Sequence, residues 1–143
     1  MIKIFIDGGA RGNPGPAAIG VVIQDEKKNR EKEYGFAVGK CTNNQAEYQA
    51  LIFALKKARA LYGKKRLKTE KVEILSDSEL LVKQMQGKYK IEDKNIQLLF
   101  LEAWNLKIDF HNIAFKQISR EQNKKADQVL NQALDAKTKL RLL

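Results

Sequence analysis

Residues 2–25 read IKIFIDGGARGNPGPAAIGVVIQD, and this stretch decides the fold. Residues 2–7 alternate between apolar and other side chains and end at a glycine pair, which is typical of a β-strand. Residues 17–25 form a second β-rich run, and residues 33–38 (EYGFAV) form a third. The polar segment EKKNREK between the last two runs predicts a turn, so we expect the chain to open with a hairpin or meander.

The rest of the chain alternates between helical and strand patterns. Alanines and leucines repeat at intervals of three and four from Thr42 to about Tyr62, which predicts a long helix that Gly63 ends and a basic loop follows. Beyond it the patterns predict a strand over 71–76, helices over 78–86 and about 93–106, a strand over 113–118 and a helix over about 124–136. The order βββαβααβα predicts an α/β fold, a five-stranded mixed sheet flanked by helices, with an antiparallel meander of three strands at its start.

The length of 143 residues is usual for one domain. Because no repeat and no proline- or glycine-rich linker divides the chain, we expect a single domain over residues 1–143 whose last few residues fray. No apolar run approaches the roughly 20 residues that span a bilayer, and the N-terminal segment lacks the layout of a signal peptide. We therefore expect a cytoplasmic protein without a membrane partner.

The charge balance indicates a polyanionic partner. Lys and Arg number 27 against 17 Asp and Glu, a formal net charge of +10, and such a surface attracts nucleic acid. A lysine-rich composition that serves only solubility or thermostability is the competing explanation. The one cysteine, Cys41, excludes a disulfide within the chain, and the one histidine, His111, excludes a multi-histidine metal centre. We expect His111 to lie in a loop and to have no functional role.

Four carboxylates occupy positions at which a charge is costly. Asp7 and Asp77 each follow an apolar strand pattern, and the carboxyl ends of strands are where α/β sheets place ligand sites. Glu47 lies in line with Leu51 on the apolar stripe of the long helix. Asp127 occupies a similar place near the start of the last helix. Capping explains any one of these acids, but four such placements in one basic chain indicate a site.

Carboxylates that gather in one site raise one another's pKa unless a cation neutralises them. Ligands that are all carboxylates select hard, oxygen-binding ions such as Mg²⁺ or Mn²⁺. A basic protein with such a site is a candidate for phosphodiester chemistry with two metal ions.

Four fragments, each containing one of these acids, extend in order over nearly the whole chain: IDGGARGNPGPAAIG, TNNQAEYQAL, LSDSELLVKQ and REQNKKADQ. Together they resemble ribonuclease H of type 1. The resemblance implies the ribonuclease H-like fold and an endonuclease that hydrolyses the RNA strand of RNA–DNA hybrids, leaving 5′-phosphate and 3′-hydroxyl ends. It implies that Asp7, Glu47, Asp77 and Asp127 are catalytic and bind two Mg²⁺ or Mn²⁺ ions with the substrate. The implied partner is the hybrid duplex; double-stranded RNA stays open as a second substrate, and we expect a monomer.

The resemblance also implies a set of substrate-binding residues: Gly12, Asn13, Thr42, Asn43, Asn44, Ser78, Arg120 and Asn123. The small residues of the turn after Asp7 let the backbone approach a ribose, whose 2′-hydroxyl distinguishes RNA from DNA. The start of the long helix suits a phosphate, and by resemblance Thr42 and Asn44 hold a phosphate of the DNA strand while Asn43 and Asn13 lie nearer the minor groove. N-capping is the competing interpretation of these polar residues.

Two departures place the chain in a subset of the family. The loop ISREQNKKADQ, which contains Asp127, lacks the histidine that many members carry there, and the segment after Gly87 lacks a basic insertion that some members use to hold DNA. The basic clusters at residues 64–68 and 124–125 are candidates for that grip, or for plain solvated surface.

Two alternatives share the fold. One is a non-catalytic module that binds hybrids or double-stranded RNA, and the other is a related nuclease such as a transposase or junction resolvase core. Four intact acids argue against the first, because a binding module has no use for a repulsive cluster. The asparagine-rich helix start and the glycine turn after Asp7 fit a ribonuclease better than the second.

Overall fold

The computed structural model describes the backbone of residues 1–142 and the side chains of residues 1–137. The elements are β1 (Ile2–Ala10), β2 (Gly15–Asp25), β3 (Arg30–Cys41), α1 (Asn43–Leu67), β4 (Lys71–Ser76), α2 (Glu79–Met85), α3 (Lys94–Lys107), β5 (Asn112–Gln117) and α4 (Lys124–Leu142). The predicted order βββαβααβα and the α/β class are confirmed. We predicted that the last few residues fray, and these residues lie outside those whose side chains the structure describes.

The five strands form one sheet in the order β3-β2-β1-β4-β5. β1 pairs antiparallel with β2, and β2 pairs antiparallel with β3, which confirms the meander. β4 pairs parallel with β1 and with β5, so the sheet is mixed as predicted. β1 therefore lies at the centre, with its carboxyl end at the same edge of the sheet as that of β4.

The two faces of the sheet are covered by different helices. Ile4 and Ile6 of β1 are fully buried in the main core, where Leu51 and Leu55 of α1 are also fully buried. α4 covers the other face, where its Leu130 packs in a smaller cluster with Ala18 of β2 and Leu134. β1 is thus covered from both sides, which explains why its apolar residues do not alternate with exposed ones. Within residues 1–142, no helix is long and apolar enough to cross a membrane.

β1 is longer than predicted. We expected it to end at Asp7, because a glycine pair usually marks the end of a strand, but it continues to Ala10. Gly8 pairs with Ile19 of β2, and the pairing continues to Ala10, which lies opposite Ala17. Asp7 therefore lies inside the strand, opposite Gly20 of β2, and the residues before and after it also pair with β2.

The segment after Gly63 is also different from the prediction. Gly63 does break the helix, with a φ of 74°, but residues 64–67 return to helical geometry instead of forming a basic loop. Leu67 is fully buried and anchors this last turn to the core. The backbone of this basic turn is therefore held against the core.

Arg66, which lies in this turn, forms ion pairs with two acids of the protein itself. Its guanidinium donates two hydrogen bonds of 2.9 Å to the carboxylate of Asp25 and one of 3.2 Å to Glu70. Both carboxylates are almost completely buried. The N-terminal ammonium, Lys27 and Arg66 together lower the pKa of Glu70 to about 2. Arg66 is consequently removed from the predicted basic cluster, because its charge is neutralised within the protein.

Candidate active site

Three acids from three different elements converge at the carboxyl edge of the sheet. The parallel pairing of β1 with β4 keeps an offset of 70 residues as far as Phe5 opposite Leu75, so Asp7 in β1 lies near Asp77, the residue that follows β4. Glu47 reaches the same point from the start of α1. One carboxylate oxygen of each acid lies within 4.8 Å of the others.

Hydrogen bonds at the start of α1 fix the position of the helix turn that carries Glu47. Thr42 caps the helix: its hydroxyl accepts a hydrogen bond of 3.1 Å from the backbone N–H of Gln45, whose side chain accepts one of 2.9 Å from the N–H of Thr42. The Asn43 side chain accepts a hydrogen bond of 2.8 Å from the N–H of Ala10. The helix start is therefore tied to the end of β1, only a few residues from Asp7.

Asp127 of α4 completes the set that the sequence predicts. It lines the same cavity as the other three acids, a space of about 560 Å³, and it is close enough to Asp7 to help raise the pKa of that acid. Asp127 is exposed, whereas Asp7 and Glu47 are buried. The structure therefore brings all four acids together, with Asp127 on the open side.

Without a cation, the buried carboxylates of the site repel one another when they are ionised. Burial, followed by the charges of Asp77 and Asp127, raises the pKa of Asp7 to about 7. Burial and then the charges of Asp7 and Asp77 raise the pKa of Glu47 well above its ordinary value. Burial raises the pKa of Asp77 too, although the positive charge of Arg120 opposes this. Such shifts are expected where carboxylates are placed to hold a cation.

The donor set fits a divalent cation of the Mg²⁺ or Mn²⁺ type. Oxygen Oε2 of Glu47 is buried and has no hydrogen-bond partner among the described residues, although such an atom is costly to leave unsatisfied. A cation held between Glu47, Asp7 and Asp77 would satisfy it. The side chains that line the cavity include neither histidine nor cysteine, so the ligands are the hard oxygens that Mg²⁺ and Mn²⁺ prefer.

The predicted residues of the β1–β2 turn and of the helix start fall into two groups. Gly12 and Asn13 lie in the exposed turn beside the cavity, and the Asn13 side chain accepts a hydrogen bond of 3.0 Å from the N–H of Asn43, which lines the cavity. Thr42 and Asn44 line a second, smaller cavity of about 210 Å³ between α1, α2 and the segment before α3. The two groups therefore present polar atoms on two sides of the start of α1.

The other three predicted residues have different environments. Arg120 lines the acidic cavity. Ser78 caps α2, where its hydroxyl accepts a hydrogen bond of 3.2 Å from the N–H of Leu81. Asn123 is fully buried; it donates a hydrogen bond of 2.8 Å to the carbonyl oxygen of Ile6, and its side chain opposes the rise in the pKa of Asp77. The expectation that Asn123 touches substrate is therefore corrected, because its side chain is fully buried and faces the interior.

Several residues that line the cavity were not among the predicted ones: Arg11, Leu130, Asn131 and Leu134. Leu130, Asn131 and Leu134 follow Asp127 on α4 at three, four and seven residues, a helical spacing that could have identified them. Arg11 follows Asp7 by four residues within the glycine turn, but no local pattern indicates which way its side chain extends. His111 is exposed in the loop between α3 and β5.

The sheet order and the four acids at its edge define the ribonuclease H-like class of proteins. A family model described as "Reverse transcriptase-like" matches residues 5–133, and the chain belongs to this family. Its similar relatives within the family are ribonucleases H of type 1. Among solved structures, LC11-RNase H1 in complex with RNA/DNA hybrid is 45% identical with a TM-score of 0.89, and the match covers 96% of this chain and 99% of that one.

Curated relatives include longer proteins. Ribonuclease HI of Halobacterium salinarum is 37% identical over 134 residues, which cover 94% of this chain and 64% of the relative. The bifunctional protein Rv2228c of Mycobacterium tuberculosis is 36% identical over 136 residues, which cover 94% of this chain and 36% of the relative. The chain thus spans about two thirds of the length of the first and about one third of the second.

Proposed function

We propose that this chain is an endonuclease that hydrolyses the RNA strand of RNA–DNA hybrids in the presence of Mg²⁺ or Mn²⁺. The observation that carries the proposal is the convergence of Asp7, Glu47 and Asp77 within 4.8 Å, with Asp127 in the same cavity. The similarity to LC11-RNase H1, whose structure holds an RNA/DNA hybrid, supports the substrate class. All four acids come from one chain, so we propose that a monomer is active.

Asp7, Glu47, Asp77 and Asp127 would hold the divalent cations, and Asp7 is the acid with which the other three all interact electrostatically. When bound, two divalent cations would supply an activated water for in-line attack and charge stabilisation for the leaving 3′ oxygen, which leaves 5′-phosphate and 3′-hydroxyl ends. Asn123, which is anchored to the carbonyl oxygen of Ile6, opposes the rise in the pKa of Asp77 from the interior. Arg120 and Lys124 add positive charge at the cavity, where a phosphate chain has to approach four acids.

The two groups of polar residues at the start of α1 support a division between the strands of the hybrid. Asn13 and Asn43 lie beside the acids, where a 2′-hydroxyl of the cleaved strand would be recognised. Thr42 and Asn44 border the separate cavity, whose helix N-terminus suits a phosphate of the other strand. This arrangement explains how the RNA strand could be selected without reading its bases.

The test is a panel of end-labelled substrates of one sequence: an RNA–DNA hybrid, double-stranded RNA, double-stranded DNA and both single strands. We expect metal-dependent internal cleavage of RNA in the hybrid, none of DNA, and no cleavage in EDTA. The Asp7→Asn variant serves as the control for contaminating nuclease. Binding of the hybrid without cleavage under every metal condition would instead support the non-catalytic alternative.

A further inference from the structure

The β1–β2 turn brings one cation into the acidic cavity. Arg11 lies in this turn and lines the cavity together with Gly9, Ala10 and Asn43. The two other cations of the lining, Arg120 and Lys124, come from the loop before α4 and from its first residue. Arg11 is thus the cation that the β1–β2 turn supplies, two residues before Asn13 in the same turn.

The backbone around Arg11 is held in place. Its N–H donates a hydrogen bond of 2.8 Å to the carbonyl oxygen of Pro16 across the turn. The N–H of Ala10 donates to the side chain of Asn43, and the N–H of Asn43 donates to that of Asn13. These three contacts fix the turn against α1, so the guanidinium has a defined anchor at the cavity.

Among the described residues, the guanidinium of Arg11 is bound only through its Nη2 atom. Its Nη2 atom lies 2.6 Å from Oδ1 of Asp135 in α4, and the two side chains are 46% and 60% exposed. Of its five N–H donors, only the one at Nη2 has a partner among the described residues. Exposed ion pairs of this kind contribute between about 0 and 1 kcal/mol to stability, so this pair can be exchanged at little cost.

Extending the proposed function, we propose that Arg11 binds a backbone phosphate of the cleaved strand beside the scissile linkage, and that Asp135 holds the guanidinium until that phosphate replaces it. A strand that enters a cavity with four acids needs cations that contact its phosphates directly. An arginine with free N–H groups meets this need, because the planar guanidinium can bind two phosphate oxygens at once. Asp135 is the positioning residue: its carboxylate is a weaker, competing acceptor for the same donors.

The test is steady-state cleavage of the hybrid by Arg11→Gln, Arg11→Lys, Asp135→Asn and the double variant, at several salt concentrations. We expect Arg11→Gln to raise KM by about tenfold with a smaller effect on kcat, the loss expected for one charge-assisted contact. The slope of log affinity against log salt should fall by about one. Arg11→Lys should keep the salt slope but recover only part of the affinity.

Asp135→Asn should lower KM by about twofold to fivefold when Arg11 is present and have no effect when it is Gln. The matched controls are Arg59→Gln and Asp109→Asn, because these residues form a similar pair with 2.8 Å between Nη1 and Oδ2. Arg59 lies 16 residues after Asn43 on α1, roughly 24 Å along the helix axis. Both controls change the net charge in the same way and should alter KM by less than about twofold.

Equal KM values for Arg11→Gln and Arg59→Gln would overturn the proposal, and an effect of Asp135→Asn that persists without Arg11 would overturn the role of Asp135. If the wild-type chain cuts no hybrid, the proposed function fails first. The same variants are then compared by fluorescence anisotropy of a labelled hybrid in EDTA, where loss of affinity and of salt dependence in Arg11→Gln would still support the phosphate contact. Absence of both would reject it.

Discussion

Gly8 of β1 lies directly against the backbone of Ala46 in α1. A Cβ atom at Gly8 would lie 2.2 Å from the carbonyl carbon and oxygen of Ala46 and 2.4 Å from the backbone nitrogen of Glu47. Real Cβ atoms do not approach backbone so closely, so only glycine permits this contact. The contact brings the helix near enough for Glu47 to reach Asp7, which makes Gly8 a determinant of the site as well as of the packing.

We expect Gly8→Ala to impair both stability and cleavage. The added methyl group must push α1 away from β1, which we expect to lower the free energy of unfolding by about 3 kcal/mol and to separate Glu47 from Asp7. Gly9→Ala is the matched control for stability, since its Cβ would lie 3.7 Å from Leu130, an ordinary contact distance. Urea denaturation of both variants checks the prediction, and similar losses in the two would contradict it.

We expect Asp7→Asn to abolish cleavage and to stabilise the metal-free protein at high pH. The pKa of Asp7 is raised from 3.8 to about 7, so the folded state binds this proton more tightly than the unfolded state does. The contribution of Asp7 to stability is therefore lost as pH rises from about 4 through about 7. In EDTA at pH 8, Asn should increase the free energy of unfolding by on the order of 2 kcal/mol.

The same measurement at pH 5 is the internal control for Asp7→Asn. There the wild-type carboxyl group is largely protonated in the folded state, so the gain from Asn should be clearly smaller. An equal gain at both pH values would show that the burial and crowding of this acid are not what destabilises the metal-free protein.

We expect Mg²⁺ or Mn²⁺ to raise the melting temperature, and EDTA to reverse the rise. The rise should be larger at pH 8 than at pH 5.5, because protons compete with the cation for the same carboxylates. Glu47→Gln should remove most of the rise, because the variant loses the ligand whose Oε2 has no other partner. A full metal-dependent rise in Glu47→Gln would mean that the stabilising cation binds elsewhere.

We expect Arg66→Met to destabilise the fold without weakening substrate binding. The substitution leaves two buried carboxylates, those of Asp25 and Glu70, without their guanidinium partner, at a cost of about 3 kcal/mol. Asp25 lies opposite Ile2, at the far end of β1 from the acids, so KM should stay within about twofold. Lys65→Met, an exposed residue of the same turn, is the control for loss of one charge. Measurements of KM and urea denaturation together check this, and a large rise in KM would contradict it and return Arg66 to the candidate basic cluster at residues 64–68.

Local patterns were sufficient for the element order and for choosing the four acids. Glu47 on an apolar helix face and Asp77 after an apolar strand are visible as unusual placements in the chain itself. The same local reasoning ended β1 too early, because glycine is a poor strand former and its pairing with β2 cannot be seen from one strand alone. It also treated Arg66 as free surface charge, because its partner Asp25 is 41 residues away in the chain.

The amino-acid sequence by itself determined which residues are apolar, where helices and strands begin to form, and which acids stand in costly places, since these depend on neighbours a few residues apart. Tertiary structure alone decided that Asn123 faces inward to the carbonyl oxygen of Ile6 and that Arg11 meets Asp135 across 124 residues. Side-chain direction at a turn and contact between distant elements arise only when the sheet and both helix layers are packed together. The local sequence therefore determines which chemical groups are available to the cavity, and the packing of the sheet and helices determines how they are arranged.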